Sequence, residues 1–205
     1  MDYESLNQRD VHHVSDQFTR QRYIQMMKVA PNSPKTVLDI GIGSGMGGKI
    51  VKKYFPETQL YGIEAVGSRA RVNSDYYAEI RYGSILDSQY SNETFDLILA
   101  AELIEHINVS EIEDFLHEVF RLLKHDGVFI LTTPNPNSIK MKMLGGSVLG
   151  RSHLSQHFIR ETKQRLKLSS FRVKKCLGTG KASLYIGRKF PKIFYGSFMI
   201  VASKS

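Results

Sequence analysis

Glu102, Glu105 and His106 stand at positions i, i+3 and i+4 of the stretch AELIEH. A helical turn places all three on one face. Two carboxylates and an imidazole in that arrangement suit Mg²⁺, Mn²⁺ or a related divalent ion. Without a metal, His106 is either a general base with a pKa near neutrality or a cap on the turn. A second feature lies upstream, where the apolar run of TVLDIGIGSG passes into Gly41, Gly43 and Gly45. Glycine suits backbone that turns tightly and lets a ligand approach closely. Asp39 is the charge inside that run, and Glu64 closes the next apolar run, YGIE. Downstream, RSHLSQHFIRET holds His153 and His157, which taken alone read as surface or capping histidines.

The glycine turn admits three readings. GSGMGG, residues 43–48, satisfies the dinucleotide pattern G-x-G-x-x-G, with Glu64 as a ribose contact. That register starts two residues late and leaves a carboxylate beside a pyrophosphate. The second reading is a cofactor that ends in an amino acid, whose ammonium Asp39 helps to fix. The third is a purely structural turn. Asp39 decides for the second.

The elements that must position these groups alternate. Val11, Val14, Phe18, Tyr23, Met26, Met27 and Ala30 predict one or two N-terminal helices, ended by Pro31 and Pro34. Strands are expected over 36–40, 59–64, 80–82, 95–100 and 128–132. Helices are expected over 45–54 and, from Ile112, Phe115, Leu116, Val119, Phe120 and Leu123, between the last two of those strands. Gly127 reads as the C-cap of that helix. Such alternation implies an α/β fold with a parallel sheet covered on both faces. Residues 134–152 break the rhythm with prolines, a glycine pair, Met141 and Met143, and read as a connection folding over the site. A helix near 161–168 and strands near 171–177 and 198–202 complete the chain.

On these residues the chain resembles the class I, Rossmann-like methyltransferases that use S-adenosylmethionine (SAM), from about Lys35 to Pro134. The resemblance implies a three-layer sandwich with a mostly parallel seven-stranded sheet whose last strand is antiparallel. It assigns Asp39, Gly41, Ile42, Gly43, Gly45, Glu64, Ala65, Ser84, Ile85 and Ala101 to the cofactor, with Glu64 on the ribose hydroxyls. Ser84 departs from the acid usual at the adenine contact, and Asp87 stands nearby. E-x-x-E-H at this place is similar to two metal-using groups, the ubiquinone-pathway O-methyltransferases and the RNA 2′-O-methyltransferases. In the RNA enzymes a further histidine follows a T-P-N segment, and His157-Phe158 is similar to its surroundings. The implied metal set is Glu102, Glu105, His106 and His157, and the implied catalytic set His106, Glu102 and Glu105. The expected function is O-methylation of a small-molecule acceptor, anionic or carrier-linked. RNA 2′-O-methylation and a non-catalytic cofactor-binding scaffold are the alternatives.

Composition bounds these readings. The chain has 205 residues and 41% hydrophobic content, enough for one domain with a single core. That domain divides into an N-terminal helical lid (1–34), a cofactor-binding half (35–133), an active-site lid (134–160) and a basic part completing the sheet (161–205). Cys176 stands alone, which leaves no intramolecular disulfide and too few thiolates for a metal site. No apolar run suits a membrane span, and MDYESLNQRD lacks a secretory pattern, so the expected location is cytoplasmic. Charge is uneven: residues 1–138 hold 13 Lys and Arg against 19 Asp and Glu, whereas residues 139–205 hold 15 against Glu161 alone, a net +14. That last third calls for an anionic partner: RNA, a phosphorylated or nucleotide-linked substrate, an acyl-carrier protein or a membrane surface.

Overall fold

A computed structural model describes residues 17–66, 74–143, 145, 147–150 and 153–204. Val11, Val14 and the start of the N-terminal helical pattern lie outside the described residues. The strands are β1 (Thr36–Ile40), β2 (Gln59–Glu64), β3 (Glu79–Tyr82), β4 (Phe95–Ala101), β5 (Leu123–Pro134), β6 (Phe171–Thr179) and β7 (Ser197–Lys204). They form one seven-stranded sheet in the order β3-β2-β1-β4-β5-β7-β6. β1 to β5 run parallel, and β7 lies antiparallel between β5 and β6. The strand order reverses beside β1, so the crevice beyond the carboxyl ends of β1 and β4 is the place where such sheets bind ligands.

Alternation along the strands explains the layers. Leu38, Ile98, Ala100, Phe129, Leu131 and Ile200 point into one core, and Val37, Leu97, Leu99, Ile130 and Val201 into another. With both faces covered, the central strands read as continuous apolar runs. Helix α1 (Gln17–Met27) and helix α2 (Met46–Tyr54) cover one face through Tyr23, Met26, Ile50 and Val51. Helix α3 (Ile112–Leu122) covers the other through Ile112, Phe115, Leu116 and Val119, joined by Leu166 of α5 (Ile159–Leu168). Short helices α4 (Ile139–Met143) and α6 (Ser183–Ile186) lie in the connections before α5 and β7.

Two expectations change. Gly127 is not a helix cap: it lies within β5, and the left-handed residue before it is Asp126, at φ 62°. Gly127 is required for space, because a Cβ there would sit 2.8 Å from the Lys124 carbonyl oxygen. The connection after β5 is also more ordered than its composition suggests, since α4 occupies part of it.

Candidate active site

The glycine turn leaves β1 with Gly41, Gly43 and Gly45 at φ 75°, 52° and 76°, a left-handed series that side chains with a Cβ adopt at a cost. Gly41 also faces Leu103, whose Cδ1 would lie 2.8 Å from an added Cβ. Glu64, at the end of β2, is buried and braces the turn: one oxygen accepts from the Gly43 N–H at 2.8 Å, the other from the Val66 N–H at 2.9 Å.

Asp39 turns away from the crevice. It is fully buried, and its oxygens accept from the Tyr23 hydroxyl at 2.7 Å and the Tyr77 hydroxyl at 2.8 Å. Burial pushes its pKa up from 3.8 to about 7, while the two hydroxyls pull it down. Burial and the Asp39 carboxylate likewise raise both tyrosines well above their usual range. Gly47 and Gly48 make this arrangement possible. A Cβ on Gly47 would fall 2.3 Å from the Tyr23 ring, and one on Gly48 would fall 2.5 Å from the Tyr77 ring. The later glycines of GSGMGG thus admit two tyrosine rings to a buried acid. The direct ammonium contact expected of Asp39 gives way to anchorage of the strand that carries the turn.

A cavity of about 540 Å³ opens at the carboxyl edge of the sheet. Gly41, Ala65, Gly83, Ser84 and Ile85 line one side, and Leu103, His106, Asn108, Glu111, Phe115 and Leu154 line the other. The Ser84 hydroxyl accepts from the Leu86 N–H at 3.2 Å and shapes the short turn that follows β3. Ile42 is buried in the core with Tyr77, and Ala101 packs against the same core, so these two expected contacts support the cavity from behind.

The carboxylates and histidines sort differently from their spacing. The 3-10 turn spans only Ile104–His106, and Glu102 precedes it at φ 51°. Glu102 therefore leaves the face that Glu105 and His106 occupy. Its carboxylate meets Arg22 Nε of α1 at 3.4 Å and accepts from the Ser197 hydroxyl at 3.2 Å, tying helix and sheet together. Glu105 is buried: Oε2 accepts from Thr133 Oγ1 at 2.9 Å, while Oε1 has no hydrogen-bond partner among the described residues. Burial, reinforced by the Glu102 carboxylate, pushes its pKa up.

His153 completes the group. Ligand atoms of Glu105, His106 and His153 all lie within 4.8 Å of one another, and the two rings meet edge to face at 4.9 Å. The His153 Nδ1 lies 2.7 Å from the Val148 carbonyl oxygen, which only accepts, so Nδ1 is the donor there and Nε2 is the nitrogen left to meet a ligand. Residues 153–157 are strapped beneath the Ile104–His106 turn. The Leu154 and Ser155 N–H groups donate to the Glu105 carbonyl, and the Ser155 hydroxyl donates to the Ile104 carbonyl. His157 belongs to this strap and not to the cluster: its Nε2 is 3.1 Å from the Ile104 carbonyl and 2.8 Å from the Ser155 hydroxyl. Burial lowers its pKa. The fourth ligand expected at His157 thus falls to a supporting role, and His153 takes the place beside His106.

This turn, acid and crevice coincide with a match to the family described as "Methyltransferase domain" over residues 38–131. Over those residues the chain is similar to that family, and its fold is that of SAM-dependent methyltransferases of known structure. The ubiquinone biosynthesis O-methyltransferase of Mesorhizobium japonicum is 28% identical to it over 140 residues, 64% of this chain and 53% of that protein. The chain spans about half the length of the curated relatives it matches. A SAM-dependent methyltransferase from Thermotoga maritima superposes with a TM-score of 0.71 at 18% identity, covering 92% of this chain and 90% of that one. The cyclase SpnF has the same fold at a TM-score of 0.71 and 13% identity, covering 98% and 90%. One architecture therefore carries different chemistries, and the site has to argue the reaction.

The glycine turn and the crevice beside it fit SAM on their own geometry. The buried Glu64 carboxylate stands between Ile63 and Ala65 of the cavity lining and carries the two acceptor oxygens a diol needs, and a Cβ added to Gly43 or Gly83 would meet nothing within 4 Å. No described helix is long and apolar enough to cross a membrane.

Proposed function

We propose that this chain transfers the methyl group of SAM to an oxygen atom of a small-molecule acceptor. The observation that carries this reading is the cavity of about 540 Å³, walled on one side by the glycine turn and on the other by His106. Its size falls in the range of small-ligand sites, roughly 300 to 1,000 Å³. SAM supplies a methyl group on a sulfonium, ready for in-line displacement. Glu64 holds the ribose hydroxyls, Ile85 and Ala65 flank the adenine, and the turn at Gly41 and Gly43 leaves room for the amino-acid end. Leu103, Ile107, Phe115 and Leu154 offer an apolar bed for the acceptor, with Asn108 and Glu111 as polar contacts. His106 takes the acceptor's proton.

Positioning supplies most of the rate in this scheme, up to about 7 to 11 kcal/mol, against about 10² to 10⁴-fold for a general base. Glu105, His106 and His153 alternatively fit a divalent ion such as Mg²⁺ or Mn²⁺, because Glu105 Oε1 is a buried acceptor without a donor; the His106 lone pair would then hold the ion in place of taking the proton. Such an ion lowers the pKa of a coordinated hydroxyl. The similarity to the M. japonicum O-methyltransferase supports oxygen as the accepting atom.

Labelled SAM incubated with phenolic, sugar, lipid and RNA pools tests the proposal. Label in a small hydroxylated acceptor, reduced at least about 100-fold by His106→Ala, is the expected result. Label confined to RNA would establish the 2′-O reading instead, and SAM binding without transfer to any pool would favour a scaffold.

A further inference from the structure

The connection between β6 and β7 holds out five exposed apolar or aromatic side chains: Tyr185, Ile186, Phe190, Ile193 and Phe194. Ile186, Phe190 and Phe194 adjoin one another. Ile186 and Phe190 share a shallow groove with Val29, Leu177 and Pro191. Phe190 and Phe194 meet ring to ring at 5.8 Å, and the turn holding Phe194 packs against α4, whose last residue, Met143, is 81% exposed. Single exposed apolar residues are ordinary on a protein surface, but a contiguous set is not.

Fraying does not explain the exposure. The Tyr195 ring is buried beneath the loop, and its hydroxyl accepts from the Phe190 N–H and donates to the Gly187 carbonyl, both at 2.9 Å. Asn135, just past the end of β5, donates to the Lys192 and Tyr195 carbonyls at 2.8 and 3.1 Å. The tips stand on braced backbone at the carboxyl edge of the sheet, the edge that holds the cavity.

Lysines alternate with these tips. Lys140, Lys142, Lys181, Lys189 and Lys192 flank the surface, and residues 139–205 contain no acid except Glu161. Protein interfaces deplete lysine in their cores. Interleaved lysines with aliphatic and aromatic tips match an anionic bilayer surface, where ammonium groups meet lipid phosphates and the tips enter the acyl boundary. RNA would use the lysines and the ring faces, but it gives no role to Met143, Ile186 and Ile193, and the Phe190 and Phe194 rings stand at 66° to each other.

We propose that this surface docks the protein on anionic membrane, with the carboxyl edge of its sheet turned toward the lipid. The proposal is independent of the acceptor assigned above. Flotation of the full chain with phosphatidylcholine vesicles, with or without phosphatidylglycerol, tests it alongside filter binding of a short RNA. The chain is expected to float only with phosphatidylglycerol. Lys189→Glu with Lys192→Glu, and separately Phe190→Ser with Phe194→Ser, should each lower partitioning about tenfold or more at unchanged thermal midpoint. The chain has no tryptophan, so Phe190→Trp supplies a unique probe whose emission should shift to the blue on phosphatidylglycerol vesicles. Failure to float, flotation indifferent to the phenylalanine pair, an unshifted tryptophan, or binding to RNA in place of vesicles would each overturn it.

Discussion

Asp39→Asn is expected to make the protein more stable above neutral pH and to remove a pH dependence from its folding. In the folded state the Asp39 carboxyl titrates at about 7, and in the unfolded chain it returns toward 3.8. Between those values the unfolded form has lost its proton while the folded form keeps it, so stability falls as pH rises through that window and levels off above pH 7. At about 1.36 kcal/mol for each tenfold change in proton affinity, the full cost is about 4 kcal/mol, of which about 2.5 kcal/mol accrues between pH 5 and pH 8. The groups facing Asp39 are Tyr23, Tyr77 and Glu64, of which the tyrosines stay neutral throughout. An asparagine preserves the contacts, because one tyrosine can donate to its oxygen while the other accepts from its amide. Urea unfolding of both proteins at pH 5 and pH 8 measures the difference. The variant should gain about 2.5 kcal/mol relative to the parent on moving from pH 5 to pH 8. An equal difference at the two pH values would refute the reasoning and show that Asp39 is solvated or charged throughout.

Other expectations follow from the same site. Gly47→Ala drives a Cβ into the Tyr23 ring and should cost about 1 to 3 kcal/mol in thermal unfolding, and the same substitution should cost little further in a Tyr23→Ala background that is itself destabilised. Glu64→Gln removes a charged acceptor from the cofactor rim and should weaken SAM binding by about 10-fold to 150-fold in calorimetry, with the fold retained. In titrations with Mn²⁺, His153→Ala should abolish binding that His157→Ala lowers by about 10-fold to 100-fold, because the second histidine only braces the strap. Equal loss in both variants would return His157 to the ligand set.

The sheet was legible because its signals are local. Short apolar runs, the first passing into Gly41 and the second ending at Glu64, alternate with amphipathic helices and leave a parallel sheet as the economical way to bury both strand faces. What misled was what spacing alone cannot carry. E-x-x-E-H implies a shared face only if the backbone is helical throughout, and a left-handed Glu102 breaks that condition after its first residue. Of two histidines four residues apart, the one in the cluster is chosen by the strap's hydrogen bonds to the Ile104 and Glu105 carbonyls, which no residue pattern announces.

The glycines show the same division at higher resolution. Gly41, Gly43 and Gly45 are required by φ, which is a property of the turn and can be read from a strand running into alternating glycines. Gly47 and Gly48 are required by space, and the atoms that need the space belong to Tyr23 and Tyr77, each more than twenty residues away. That is why the stretch imitates a dinucleotide motif. Both needs select glycine, but of these five only Gly41 lines the cavity. A pyrophosphate reading would bring phosphate oxygens to backbone beside a fully buried carboxylate that already depends on two hydroxyl donors. Burying such a charge is tolerable only where its hydrogen bonds are complete, and here the tyrosines complete them. The dinucleotide register thus meets a packing contact that is invisible in the motif, which favours the proposed placement of the amino-acid end of SAM at the turn.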